Sequence, residues 1–131
     1  MMDIVLVESS AWISFFRGDA AACRRIDPLL QAKVVRTTGP VFVELVSGAR
    51  NKSIQSELKA LLLSIPWLPP FEPVWERVAE TRFLLARIGQ SCSVIDILIA
   101  QAASDWGAKL LTRDRAFERM AGVLPLDLEV F

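Results

Sequence analysis

Short β-branched runs that alternate with stretches of helical period constrain the fold of this chain more than any other feature of its sequence. "DIVLV" (3–7) has strand character, and "SSAWISFFRG" after it offers Ser9 or Ser10 to cap a helix and Gly18 to end it. "DAAACRRIDPLLQAK" reads as a helix in which Pro28 forces a break or a new first turn, and "VVRT" (34–37) is a second short strand. "TGPVFVELVSGAR" is helical, opened by Thr38 and Pro40, with Gly48 late in it. From Lys52 to Ile65 apolar residues recur at 54, 58, 61, 62 and 65, again a helical period. The proline-rich "PWLPPFEP" (66–73) is non-helical, with room for a short edge strand, and joins the two halves of the chain. Val74 to Gln90 and Ser93 to Trp106 predict two further helices, the second ended by Gly107. "KLLT" (109–112) is a strand, "RDRAFERMAG" a short helix and "PLDLEVF" a last strand. Such alternation predicts an α/β sandwich with a mostly parallel sheet, whose ligands bind beyond the carboxyl ends of the strands.

At 131 residues the chain has the size of one domain, 1–131. The apolar runs within its 53% hydrophobic content stop well short of the roughly 20 residues that a membrane span needs, so the expectation is a soluble chain. "MMDIVLVESS" has no basic leader and too short an apolar stretch for a signal peptide, which places the protein in the cytoplasm. Cys23 and Cys92 lack the paired spacing of zinc or redox motifs and are expected as free thiols. Fifteen basic and fifteen acidic side chains leave no net charge. Any nucleic-acid contact must then be local or metal-assisted.

The chain contains no histidine and no tyrosine. That excludes Ser-His and Cys-His triads, histidine-based ribonuclease chemistry and histidine-containing zinc sites together. What remains is the chemistry of carboxylates, hydroxyls, amines and hard cations.

Glu8 follows the last apolar residue of the first strand, and Asp114 stands just past the "KLLT" strand. Asp96 lies in the first turn of a helix whose N-terminus faces the same edge, and Glu44 lies in the N-terminal half of the helix after "VVRT". Each acid also has an ordinary explanation. Ser93 and Asp96 form a capping-box pattern, Asp114 can cap the helix after it, Glu8 can complement the dipole of the first helix, and Glu44 can lie on a solvated face. Together, however, like charges at one edge repel unless a cation or N–H donors compensate them. Oxygen donors suit Mg²⁺ or Mn²⁺, one or two of which would lower the pKa of a bound water and stabilise charge on a phosphodiester.

"IVLVESSAWISFFRG", "VFVELVSGAR" and "SVIDILIAQAASDWGAKLLTRDRAF" resemble the PIN-domain ribonucleases and, within them, the VapC-type toxins of bacterial toxin-antitoxin pairs. The resemblance runs nearly end to end. It implies a three-layer α/β/α endoribonuclease whose acidic quartet, matched by Glu8, Glu44, Asp96 and Asp114, binds Mg²⁺ or Mn²⁺. Ser10 and Thr112 match hydroxyl positions that support the acids. The implied partners are RNA, a VapB-type antitoxin whose C-terminal segment covers the site, and a second copy in a homodimer. Two positions depart from the pattern. The first acid is ordinarily aspartate, and the extra methylene of Glu8 displaces the carboxylate by roughly an ångström, an error that can cost about a hundredfold in rate. Ala116 stands where family members frequently carry another acid.

Trp12, Phe15 and Phe16 lie at helical spacing as core packing, with an antitoxin helix as the alternative reading. Trp67, Phe71 and Trp75 are candidates for an exposed docking or dimerisation patch. Arg113 and Arg115 flank Asp114 and are candidates for RNA phosphate contacts, solvated side chains or an ion pair being the ordinary alternative; Arg17, Arg50 and Lys52 are further candidates. A catalytically weak module that binds an antitoxin is the competing function. A phospho-receiver domain would need an acidic pair at the first strand and an acceptor aspartate near mid-chain, and neither is present.

Overall fold

The computed structural model describes residues 3–131. Its elements are β1 (Val5–Val7), α1 (Ser9–Phe16), α2 (Ala20–Gln31), β2 (Val35–Arg36), α3 (Gly39–Ser47), α4 (Lys52–Leu63), α5 (Val74–Arg87), α6 (Val94–Asp105), β3 (Lys109–Thr112), a 3-10 helix (Arg115–Gly122) and β4 (Asp127–Val130). The strands form one sheet in the order β2-β1-β3-β4, parallel at every pairing. Successive strand residues point to opposite faces, yet Val5, Leu6 and Val7 are all buried. Both faces of the sheet are therefore covered, which is the three-layer α/β arrangement.

The order of the strands locates the crevice. From β1 the chain moves outward to β2, then crosses back to lay β3 and β4 on the other side of β1. At such a reversal the connections after neighbouring strands diverge and leave a cleft at their carboxyl ends. Val7 pairs with Leu111, and the Glu8 N–H donates to the Leu111 carbonyl at 2.9 Å. This register brings the residues that leave β1 and β3 side by side.

Several local features differ from the sequence reading. The N-cap of α1 is Glu8, whose carboxylate accepts from Ser10 N–H, and neither serine takes that place. Helix α2 runs through Pro28 without a break. Proline removes the donor that Arg24 C=O would have used, but both residues lie on the exposed face of the helix, where an unpaired carbonyl costs little. Thr38 stands at the N-cap of α3, but its hydroxyl donates to Leu68 C=O at 3.1 Å and so ties down the proline-rich connection. That connection adds a single parallel bridge, Thr37 with Trp67, to the edge of the sheet. Gly107, at φ 61°, turns α6 into β3 through a conformation open to glycine at no steric cost.

Trp12, Leu6, Ile97, Leu110, Leu111 and Phe117 are fully buried at the centre of the core. Trp12 stacks on Phe16 at 5.5 Å between ring centroids, so the aromatic stripe of α1 is largely core, with Phe16 reaching the surface. Trp67, Phe71 and Trp75 are exposed, Trp75 by 70%. Among the described residues no helix is long and apolar enough to cross a membrane.

Candidate acidic site at the ends of β1 and β3

Glu8, the first residue beyond β1, is only 5% exposed. Its Oε1 accepts three protons, from Ser10 N–H at 3.1 Å, Ser10 Oγ at 2.5 Å and Thr112 Oγ1 at 2.6 Å. Ser10 and Thr112, expected as supporting hydroxyls, thus meet on one carboxylate oxygen from opposite ends of the chain. Burial pushes the Glu8 carboxyl above its ordinary value; the bonds from Ser10 and Thr112 oppose the shift and the charge of Glu44 adds to it. No basic side chain among the described residues acts on Glu8 in that balance.

Glu44 is exposed and lies in the C-terminal half of α3 rather than the N-terminal half expected from sequence, because the helix ends already at Ser47; its Oε1 accepts from Ser9 Oγ at 2.7 Å. It faces α1 across a cavity of about 660 Å³, lined also by Ile13, Phe16, Arg17 and Arg50. Glu44 is therefore not merely on a solvated face. Ser9, which sequence reading considered only as a helix cap, is the residue that holds it; the signal was that two serines follow the acid where one suffices for a cap.

Asp96 is half-buried in the first turn of α6. The capping pattern is realised by the serine: Ser93 Oγ accepts from Asp96 N–H at 3.1 Å. Burial raises the Asp96 carboxyl, Glu44 raises it further, the Ser93 hydroxyl opposes this, and Asp114 adds a last upward push. Asp114, exposed just beyond β3, does cap the 3-10 helix, its Oδ1 accepting from Ala116 N–H at 2.9 Å. Ala116 leaves no further side-chain donor there. Electrostatically the quartet is one chain of like charges, with Glu8 next to Glu44, Glu44 next to Asp96 and Asp96 next to Asp114.

The quartet does not form a ready-made chelate. Among the described residues no three His, Cys, Asp or Glu side chains stand close enough together to hold one ion directly. Glu8 turns one oxygen into the hydroxyl pair and Asp114 spends one on its own helix, so the four acids share one edge in a loose arrangement. The donor set still fits a hard divalent cation. All its donors are oxygens, each acid retains an oxygen without a protein donor among the described residues, and Mg²⁺ keeps several waters while binding through one or two carboxylates.

The two arginines beside Asp114 part company. Arg113 pairs with Asp19, donates to Phe131 C=O at 3.3 Å and lies over the Phe131 ring at 4.4 Å, so both terminal nitrogens of its fork have partners within the chain, while its buried Nε has none among the described residues. Arg115 is exposed and makes only a surface pair with Glu118 at 3.2 Å.

The model of the PIN domain matches residues 5–123. "VapC ribonuclease Mb1587" of Mycobacterium bovis is 29% identical over 133 residues, covering 98% of this chain and 99% of the relative. "Ribonuclease VapC11" of Mycobacterium tuberculosis matches with the same identity and coverage. Among solved structures, VapBC2 from Rickettsia felis bound to a DNA fragment from its promoter shares the fold with a TM-score of 0.77, at 22% identity and 98% coverage of both chains. VapBC-5 from Mycobacterium tuberculosis superposes with a TM-score of 0.64 at 22% identity, covering 99% of this chain and 98% of that one. A parallel sheet that reverses between β1 and β3, acids at the ends of those strands and a family match over nearly all of its length agree: the chain belongs to the PIN domain family.

Proposed function

We propose that residues 1–131 form one PIN-like nuclease domain, an endoribonuclease that is the toxin of a toxin-antitoxin pair and depends on Mg²⁺ or Mn²⁺. The observation that carries the reading is the run of like charges Glu8, Glu44, Asp96 and Asp114 at the sheet's switch point, where burial and mutual repulsion raise Glu8 and Asp96. Such an arrangement costs stability unless a cation joins it. Similarity to two proteins named VapC ribonucleases supports the activity, and likeness to VapBC complexes supports an antitoxin partner.

Asp96, Asp114 and Glu44 are the acids with the exposure to hold the ion, and Glu8 is the fixed carboxylate behind them. A bound divalent ion would lower the pKa of a water and neutralise charge on the phosphodiester. The chain's own residues supply placement. Ser10 and Thr112 keep Glu8 ionisable in a buried pocket, Ser9 aims Glu44, and Arg115 is free to meet a neighbouring phosphate. The exposed Trp67, Phe71 and Trp75 supply apolar area for the homodimer.

The test is cleavage of RNA with Mn²⁺ by the parent chain, Asp96→Asn and Asp114→Asn. Loss of a partner that merely orients a ligand costs about 10- to 100-fold, so loss of Asp96 itself should exceed that. Equal rates in all three would discard the nuclease reading. A second reading, a weak or inert module that acts by binding an antitoxin, is favoured by the engagement of Glu8 Oε1 with three donors. Glu8→Asp separates the two: a large gain in cleavage marks an enzyme attenuated by the longer side chain, and no cleavage in either form marks a binder.

A further inference from the structure

The residue with the widest connections around the site is not an acid. Arg113 follows Thr112 at the end of β3, and its backbone N–H donates to Ser10 Oγ at 2.9 Å. The next N–H, of Asp114, donates to Thr112 Oγ1 at 2.9 Å. A hydroxyl has one proton, and these two hydroxyls, each receiving an N–H, donate theirs to Glu8 Oε1. Two chains of N–H to O–H to carboxylate therefore run from one dipeptide to one oxygen, and each link polarises the next.

The Arg113 side chain fixes that dipeptide from outside. Its guanidinium pairs with Asp19, donates to Phe131 C=O at 3.3 Å and covers the Phe131 ring. Asp19 is itself fixed as the N-cap of α2, accepting from Ala22 N–H at 2.9 Å, and Phe131 is fixed by its N–H on Thr112 C=O at 3.1 Å. The start of α2, the residue after β4 and the turn after β3 are thus joined through one planar fork, a geometry that lysine cannot reproduce.

We propose that Arg113 is a positioning residue of the acidic site: latched by Asp19 and Phe131, it holds the turn after β3 so that two backbone N–H groups orient the Ser10 and Thr112 hydroxyls onto Glu8. The inference rests on the nuclease reading for its effect on catalysis. It assigns Arg113 no contact with RNA.

The experiment uses the full chain with Asp19→Asn, Phe131→Leu, Arg113→Lys and Arg113→Met, and follows amide hydrogen exchange, Mn²⁺-dependent RNA cleavage and the salt dependence of RNA binding. Asparagine keeps the α2 cap and removes only the charge. Asp19→Asn and Phe131→Leu should each speed exchange at the Arg113 and Asp114 amides and lower kcat, both on the order of tenfold, with KM and salt slope unchanged. Arg113→Lys should retain more activity than Arg113→Met. The proposal is overturned if Asp19→Asn and Phe131→Leu match the parent in exchange and kcat, or if Arg113→Met lowers the salt slope by about one, the mark of a lost phosphate contact. If the parent and Asp96→Asn cleave alike, the nuclease reading fails by itself. Amide exchange then decides the latch, faster exchange in Asp19→Asn and Phe131→Leu supporting it and parental exchange overturning it.

Discussion

Asp105 at the end of α6 and Glu8 just beyond β1 both keep a carboxylate largely out of water, the Asp105 side chain being 6% exposed and Glu8, as a whole residue, 5% exposed. They are answered in different ways. Asp105 receives both arms of Arg77, one at 2.7 Å, and the Phe71 N–H at 3.2 Å. Glu8 receives two hydroxyls and an amide, and no cation among the described residues. Where the fold has only to tie the proline-rich connection to α6, a counter-charge does it. At the switch point of the sheet the buried carboxylate meets no counter-charge among the described residues and is answered by hydrogen bonds alone.

Breaking the balanced site should do the most harm to the fold. Arg77→Met leaves a carboxylate with little access to water and is expected to cost about 3 kcal/mol, read from urea unfolding, with cleavage per folded molecule unchanged. Comparable loss of activity in the folded fraction would merge two sites that the structure keeps apart. The unbalanced site should respond the other way. Thr112→Val removes one hydroxyl from Glu8 and should lower RNA cleavage about 10- to 100-fold while the chain stays folded. A rate within twofold of the parent would mean that Glu8 needs no such support.

The smallest effect sharpens the contrast by pH. Because folding raises the Glu8 carboxyl above its ordinary 4.5, the folded chain binds more protons than the unfolded one between those two values, and stability falls as pH rises through that window. Glu8→Gln removes this contribution. In the presence of chelator the variant should gain in urea midpoint relative to the parent as pH is raised from about 4 to about 7, and a difference that shrinks would reverse the sign argued here.

The strands, the helices and the edge that carries the acids were legible because they depend on local pattern: branched residues in "VLV" and "KLLT", helical spacing in α4 and α5, Glu8 directly after β1 and Asp114 two residues past β3. The reading failed where the outcome depends on what lies opposite. Pro28 breaks a helix only if Arg24 C=O has no other partner, and that is decided by exposure. Ser9 and Thr38 are cap residues in isolation, but Glu44 and Leu68 claim their hydroxyls. For Arg113 a phosphate contact and an ion pair were both open, and the partners that engage it, Asp19 and Phe131, lie 94 and 18 positions away. The looseness of the quartet was equally hidden, since sequence order places four acids at one edge without saying which of their oxygens are already engaged.

The turn after Asp114 is a 3-10 helix, with three residues to each turn, and its two buried anchors, Phe117 and Met120, are three apart, as are Asp114 and Phe117. Asp114 itself stands just before that helix, as its N-cap in extended backbone, and is exposed where the two anchors are buried. A single residue inserted between Asp114 and Phe117 would lengthen the lead into the segment while Phe117 and Met120 stayed seated, so spacing alone, with every side chain retained, would displace this charge from the edge of the sheet.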